Sequence, residues 1–446
     1  MASDLLTIAA SGTNVARSAL NVTAQNIANA STEGYVRRDL RTAEVAAAGG
    51  MGRVNDISLS GSTVAEVHRN ADSFLQSEVR RTGSDLARAN AELSGLKNIE
   101  SSLEQTGAFD SIVNLEASLQ QLSSDPTNSS QRSAVLASAS TLANTLNITS
   151  SALDATAQGL QSDAGAHVDE ANGIGSDLAR LNLKLANAGP NNSDRPSLLD
   201  QRDQLLEKLS GYSAIGTTFA SDGTVAVTLG TNPPRSFVQG GTSATLGMAV
   251  AANGTLSFAV DGQATDPGSG NLAGAASALT EVDATRTRLD QLASNLATTF
   301  NTAQAAGVDA SGAPGKPMFT GTTAGTIKLA LQSGQDFATA PAGAPAGSRD
   351  TSNLDALRQS LSSLDPAGTY NNLLFDVSSK VSGRQVTQSA LDTIASSAQA
   401  ALQQQSGVNL DNEATNLIRY QQAFQASGRA MQVASDIFNT LLGIGR

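Results

Sequence analysis

The sequence predicts a mainly α-helical chain with a small all-β insert: a long-helix bundle carrying the insert, and N- and C-terminal helices paired as an α-helical coiled coil. Three observations carry this. Apolar residues recur at steps of three and four at both ends and over most of the interior, which is helical spacing. One stretch, from Tyr212 to Gln263, changes from helical to alternating period, that of a strand. In its 446 residues only 3% are aromatic and none is Trp, so the apolar mass is Ala, Leu and Val, which suits long helices packed side by side.

The elements follow in order. From Leu5 to Ala30 two apolar stripes interleave, one at Leu6, Ala9, Ala16, Leu20, Ile27 and Ala30, the other at Leu5, Ile8, Val15, Ala19 and Val22. They lie about 100° apart on a helix, so the apolar face is wider than a single seam needs. The pattern ends in IANASTEGYVRR, Ile27 to Arg38, where Asn29 or Thr32 can cap the helix, Gly34 accepts positive φ, and Tyr35 covers the corner. Two short strands, Arg53 to Leu59 and Thr63 to His68, are expected to turn at Ser60 and Gly61. Helical pattern then runs from Ala71 to Glu104, on to a stop at Asp125-Pro126, from Ser130 to about Ala188 before Gly189-Pro190, and from Ser197 to Leu209.

In the alternating stretch, Asp222-Gly223, Asn253-Gly254 and Asp261-Gly262 mark hairpin tips, because Asx-Gly pairs accept the turn geometry. Helix resumes from Gly274 to about Ala306, so the bundle carries the insert. Gly307 to Arg349 reads as an irregular surface segment with one strand-like piece, Thr326 to Leu331. Two helices follow, the first from about Thr369 to Gln405.

The last helix is the most regular. Leu410, Leu417, Phe424, Met431 and Phe438 recur every seven residues, with a second stripe of Ala423, Ala426, Ala430, Val433 and Ile437 beside them. About 34 residues make a helix about 50 Å long, which is marginal alone in water. It needs cover. The N-terminal helix is the expected partner, and the surplus seams require helices from further copies, with the ends ordered fully only on assembly. The expected assembly interface is Leu6, Leu20, Ile27, Leu410, Leu417, Phe424, Met431 and Phe438.

Several functions are disfavoured. A net charge of −12 argues against nucleic-acid binding, and Arg37, Arg38 and Arg41 read as a solvated patch after a helix. Without cysteine there are no disulfides, thiol nucleophiles or thiolate metal sites. No run of ~18 apolar residues suggests membrane insertion, and the start lacks the pattern of a cleaved signal peptide. His68 and His167 lie in unrelated contexts, and the Gly-rich pieces lack a phosphate-loop lysine, so no metal, cofactor or catalytic site is expected. Asp200 and Asp203, with Arg202 and Lys208, read as a surface or interface ion network.

ANASTEGY, with Ala28, Asn29, Thr32, Gly34 and Tyr35, resembles the signature of bacterial flagellar axial proteins of the rod, hook and hook-associated classes. The C-terminal GVNLDNEATNLIRYQQAFQASGRAMQVASDIFNTLL resembles the matching end of the hook-associated class, as do ADSFLQSEVR, LSSDPTNSSQR, RPSLLDQRDQLLEKLS and FNTAQAAGVDASGAPG. The likeness implies a structural subunit joining hook to filament. It implies an inner-tube domain of residues 1–35 plus 408–446, a helical domain of 36–211 plus 274–406, and a β domain of 212–273. It further implies a ring of copies contacting the hook protein on one side and a second junction protein and flagellin on the other. Export through the flagellar type III apparatus, with a cytoplasmic chaperone on the Leu417, Phe424 and Met431 seam, would leave the protein extracellular on the flagellum. Another hook or rod subunit, or a secreted coiled-coil effector or glycan-binding protein using the β insert, are the alternatives.

Overall fold

The computed structural model describes residues 2–47, 58–189, 192 and 194–444. The chain forms two compact units, Met1–Ser84 with Glu170–Leu246 and Asp392–Arg446, and Asp85–Asp169 with Gly247–Leu391.

In the first unit, α1 (Ala2–Ala28) lies against α9 (Leu410–Ile444), so the two chain ends are paired. Small side chains permit the approach: Ala9, Ala16, Ala19 and Ala434 are buried, and a methyl at Gly12 would come 2.9 Å from the Ser427 hydroxyl. The antiparallel strands β1 (Arg38–Ala47) and β2 (Ser58–Arg69) also pack on α1. There the Ser62 amide donates to the Ser11 hydroxyl at 3.1 Å.

This corrects the expected hairpin. Ser60 and Gly61 are not a turn but part of one continuous strand, whose partner is Arg38–Ala47; residues 53–57 of the expected first strand lie outside the described residues. Gly61 has φ +95°, and a side chain there would meet Ser11 and the Ile8 backbone, so glycine serves close approach to α1 and not a reversal.

The first unit also holds the start of α2 (Ser73–Glu104), the end of α4 (Ser129–Asn187), α5 (Arg195–Ser210) and the end of α8 (Pro366–Ser406). Its second sheet, ordered β3-β4-β5-β6, comprises Ile215–Phe219, Val225–Leu229, Arg235–Gln239 and Thr242–Ser243. Buried Val225, Val227, Leu229, Phe237 and Val238 line that sheet. The Asn182 amide on α4 donates to the Val225 and Gly240 carbonyls and accepts from the Val225 amide, so the helix reads the strand as another strand would. A separate three-stranded sheet joins β7 (Leu246–Val250), β8 (Leu256–Val260) and β9 (Gln263–Thr265). The Asx-Gly tips fall between strands as expected.

The second unit has one continuous core of Leu, Ile and Ala, including Ile99, Leu103, Ile112, Leu119, Leu142, Leu289 and Phe300. It is supplied by α2, α3 (Ala108–Ser124), α4, α6 (Gly270–Ala306), α7 (Ser352–Leu364) and α8. Helix α7 was not anticipated: its buried apolar residues are Leu354, Leu357 and Leu361, too short a periodic run to stand out.

Residues 307–349 are also corrected. They are irregular and exposed over much of their length, but not throughout, since Met318, Phe319, Ala324, Ile327, Phe337 and Ala338 are buried. Two short strand pairs, β10 (Gly307–Val308) with β13 (Ala340–Pro341) and β11 (Phe319–Thr320) with β12 (Lys328–Leu329), order the segment. Helix side chains hold it down: Asn301 bonds the Met318 and Phe319 backbone, and Asn147 donates to the Ala324 and Ile327 carbonyls.

Arg132 fastens the same segment. It is 2% exposed, and its guanidinium donates to the carbonyls of Pro126, Gly334 and Phe337 and to the Thr339 hydroxyl. Substituting Arg132→Leu strands those carbonyls in the core, so it should destabilise the second unit by about 3 kcal/mol. Urea unfolding of the full chain, with wild type and Arg132→Leu compared, checks this.

Candidate functional site

The site is the paired terminal helices and the corner that leads out of α1. α1 ends by local bonding: the Asn29 side-chain amide donates to the Gln25 carbonyl at 2.9 Å, the Thr32 amide donates to the Asn29 carbonyl at 3.0 Å, and the Thr32 hydroxyl donates to Asn29 Oδ1 at 3.3 Å. Asn29 and Thr32 therefore act together. Gly34 follows at φ +71°, and a methyl there would overlap Gln204, whose amide donates to the Glu33 carbonyl at 2.6 Å. Ala28 is exposed at the helix end.

Tyr35 folds back over the corner as expected, but the residue it finds was missed by sequence reasoning. Its hydroxyl donates at 2.8 Å to Asn26 Oδ1, which also accepts from the Arg38 amide at 3.1 Å, while Asn26 Nδ2 donates to the Arg38 carbonyl at 2.9 Å. Asn26 is 1% exposed. Its amide thus pairs with Arg38 as a strand neighbour would, fixing where β1 starts relative to α1. The Arg38 guanidinium stands 4.9 Å over the Tyr35 ring, and burial pushes the Tyr35 hydroxyl pKa up.

The arginines after the corner are corrected too. Arg41 pairs with Glu66 at an exposed position, but Arg37 and Arg38 are not a solvated patch. Arg38 bonds Asp200 at 3.0 Å, and Arg69 bonds Asp200 at 2.6 Å and lies 2.7 Å from Asp203. Arg202 and Gln76 also donate to Asp203. The aspartates are therefore part of a buried network that joins the neighbouring Arg202 to the distant Arg38 and Arg69. Burial alone would raise the Asp203 pKa, but the Arg69 and Arg202 guanidiniums outweigh it and hold the carboxyl below its ordinary range. Arg37 bonds the buried Glu413 on α9 at 2.9 Å, and its amide donates to the Ser406 carbonyl, tying the chain's return to its exit.

The interface residues divide. Leu6, Leu20, Leu417 and Met431 are half-buried. Leu410, Phe438, Phe424 and Ile27 remain 54%, 46%, 39% and 36% exposed, and Ile418, Val433 and Ile437 on α9 are exposed as well. Among the described residues no cluster of His, Asp or Glu could hold a metal ion, and no helix is long and apolar enough to cross a membrane.

The two ends of the chain thus pair as helices and leave an apolar flank uncovered. Comparison with known proteins bears on this directly. The profile of the flagellar hook-associated protein FlgK helical domain matches residues 93–319, more than half of the chain. Profiles of the flagella basal body rod protein and of the flagellar basal body rod FlgEFG protein C-terminal region match residues 6–35 and 398–444. The chain belongs to the flagellar hook-associated protein FlgK family. It is 25% identical to flagellar hook-associated protein 1 of Escherichia coli K12, over 99% of this chain and 100% of that one. To the protein of the same name from Bacillus subtilis it is 24% identical, over 96% of each chain. A solved structure, the flagellar hook junction protein FlgK from Burkholderia pseudomallei, matches 54% of this chain and 46% of that one at 24% identity and a TM-score of 0.48. The chain is a structural protein of the flagellar hook–filament junction, and its relatives are flagellar structural proteins.

Asn26→Leu leaves the Arg38 amide and carbonyl without partners and should lower stability by about 3 kcal/mol, read as an earlier unfolding transition. The Asp203 carboxylate, with its pKa depressed in the fold, contributes stability above the unfolded value of about 3.9 and loses it as pH falls through the lower folded value. The stability advantage of wild type over Asp203→Asn should therefore hold down to about pH 4 and fade below it, measured by urea unfolding across that range.

Proposed function

We propose that the paired ends, residues 1–35 and 408–446, form the inner contact layer of the junction, and that copies assemble by covering one another's bare terminal-helix flanks. The observation that carries this reading is that α9, already packed on α1, still exposes Leu410, Ile418, Phe424, Val433, Ile437 and Phe438 along its length. Full cover is worth about 1.5–3 kcal/mol for each large apolar side chain, so a few such residues per contact suffice to hold a ring of copies. The polar corner and the buried ion network then set the direction in which residues 36–407 leave that layer.

The partners in this reading are further copies of the chain, the hook protein beneath, and a second junction protein and flagellin above. Before assembly the same apolar flank is a liability in the cytoplasm. A chaperone holding Leu417, Phe424 and Met431 fits that need. Because Leu417 and Met431 are half-covered here, the chaperone would take α9 released from α1, which suits delivery of an unfolded chain to the flagellar type III export apparatus.

Phe424→Asp should permit synthesis of a folded protein but abolish stable junctions, with unassembled flagellin released into the medium. Electron microscopy of cells carrying only this variant checks it, and normal filaments there would refute the role given to α9.

A further inference from the structure

The seam between α1 and α9 does not by itself say how far one helix has travelled along the other. On α1 the positions that share a face with Gly12 are Ala9, Ala16, Ala19, Thr23 and Asn26, compact side chains repeated at steps of three and four. All five are buried. On α9 the large residues Leu417, Phe424, Met431 and Phe438 recur every seven positions, with Tyr420, Ser427 and Ala434 between them. A slip of seven residues, about 10 Å, therefore sets large side chains where large ones stood, against an α1 face that is compact throughout. Hydrophobic burial is non-directional and scarcely separates the two registers.

The polar end of the pair does separate them. Gly12 stands at Ser427, and the chain just beyond α1 reaches the first turn of α9, so the helices run antiparallel with the corner at the start of α9. There Arg37 Nε donates to Glu413 Oε1 at 2.9 Å. Glu413 is 1% exposed, whereas Asp411, Arg419, Arg429 and Asp436, the other charges on the described part of α9, stand in water, where an ion pair is worth little. Both partners are anchored. The Arg37 amide donates to the Ser406 carbonyl, the Arg37 carbonyl accepts from the Asn70 amide, and the Asn70 side chain donates to the Gln405 carbonyl. On the other side Asn409 Oδ1 accepts from the Asp411 and Asn412 amides and so holds the turn that carries Glu413. A slip of seven in either direction takes Glu413 away from Arg37, and a carboxylate left in the seam without its cation is costly.

We propose that Glu413, through its bond to Arg37, fixes the axial register of α9 on α1, and with it the height at which the bare flank of α9 meets a neighbouring copy. The second half of this inference rests on the assembly reading above; the first half stands without it. Glu413 is then a positioning residue. It adds little to the strength of the pair and decides which of several similar pairings forms.

The test uses the full chain, which has no cysteine, so introduced pairs report the register. A Cβ at position 12 would lie 3.6 Å from the Ser427 Cβ, within disulfide reach. Gly12→Cys is combined in turn with Ser427→Cys, Tyr420→Cys and Ala434→Cys, and each pair is equilibrated in a thiol–disulfide buffer. With Glu413 present only the pair at 427 should close. In Glu413→Leu, Arg37 still has Asp39 at 2.8 Å and the seam gains an apolar side chain; the pair at 420 or 434 should now close, and the preference for 427 should fall about tenfold. Without the cysteines, Glu413→Leu should keep or raise the unfolding midpoint, yet require about tenfold more protein to occupy hook ends. Links confined to 427 in Glu413→Leu overturn the proposal, and with a lowered midpoint they make Glu413 a residue of stability alone. Full occupancy of hook ends by Glu413→Leu overturns it as well. If Phe424→Asp assembles normally, the assembly reading falls whatever the links show; if Phe424→Asp fails to assemble while Glu413→Leu keeps the 427 pattern and full occupancy, the register role alone falls.

Discussion

The contact between α1 and α9 is made by small residues, and that choice constrains everything around it. Ala9, Gly12, Ala16 and Ala19 let the helices approach closely, and Ala434 and Ser427 answer them from α9. A seam of small side chains brings backbones together but buries little apolar area per residue. The large side chains of α9 stand beside this seam, on flanks where Phe424, Ile437 and Phe438 stay bare. The same packing joins the ends of the chain and leaves them unfinished. A subunit that must be soluble alone and adhesive in an assembly needs both properties.

A second device recurs through both units. In a chain with few aromatic residues, asparagine amides do the work of docking strands and loops on helices. Asn26 pairs with Arg38, Asn172 with Leu246, Asn182 with Val225, and Asn301 with Met318 and Phe319, each offering a donor and an acceptor to the backbone. A primary amide matches the peptide group in shape and polarity, so the helix surface completes a ladder that lacks a strand. These contacts specify position more than they add stability, because each exchanges bonds otherwise made to water. At the corner Asn26 and Tyr35, with the Arg38–Asp200–Arg69 network, hold the start of β1 against the end of α1.

Periodicity made the long helices, the pairing of the ends and the Asx-Gly tips legible, because each rests on local pattern. The corner was half legible. Asn29, Thr32, Gly34 and Tyr35 act within a few residues of one another, so their spacing carried the signal. Asn26 did not stand out, because an Asn inside an amphipathic helix looks like a solvated residue until its partner Arg38 is known. The ion network was only partly legible for a similar reason: sequence proximity suggested Arg202, which does bond Asp203, but not Arg38 and Arg69, which are 162 and 131 positions from Asp200. Ser60 and Gly61 carried a turn signal that tertiary contact with Ser11 overrode, and 307–349, rich in Gly, Ala and Pro, read as an irregular surface segment because Asn147, Asn301 and Arg132, which hold parts of it down, lie elsewhere in the chain.

The central claim is that the bare flank of α9 is covered by other molecules in the flagellum. Val433, on that flank and 57% exposed, can be replaced in this cysteine-free chain by Val433→Cys with little change in volume. Its rate of reaction with a small maleimide, compared between the free protein and assembled hook–filament junctions, is the most direct measure. Strong protection on assembly, with free protein reacting as an open thiol, is what the account predicts. Equal rates in the two states would contradict it, because the apolar surplus would then remain in water where it is supposed to hold the junction together.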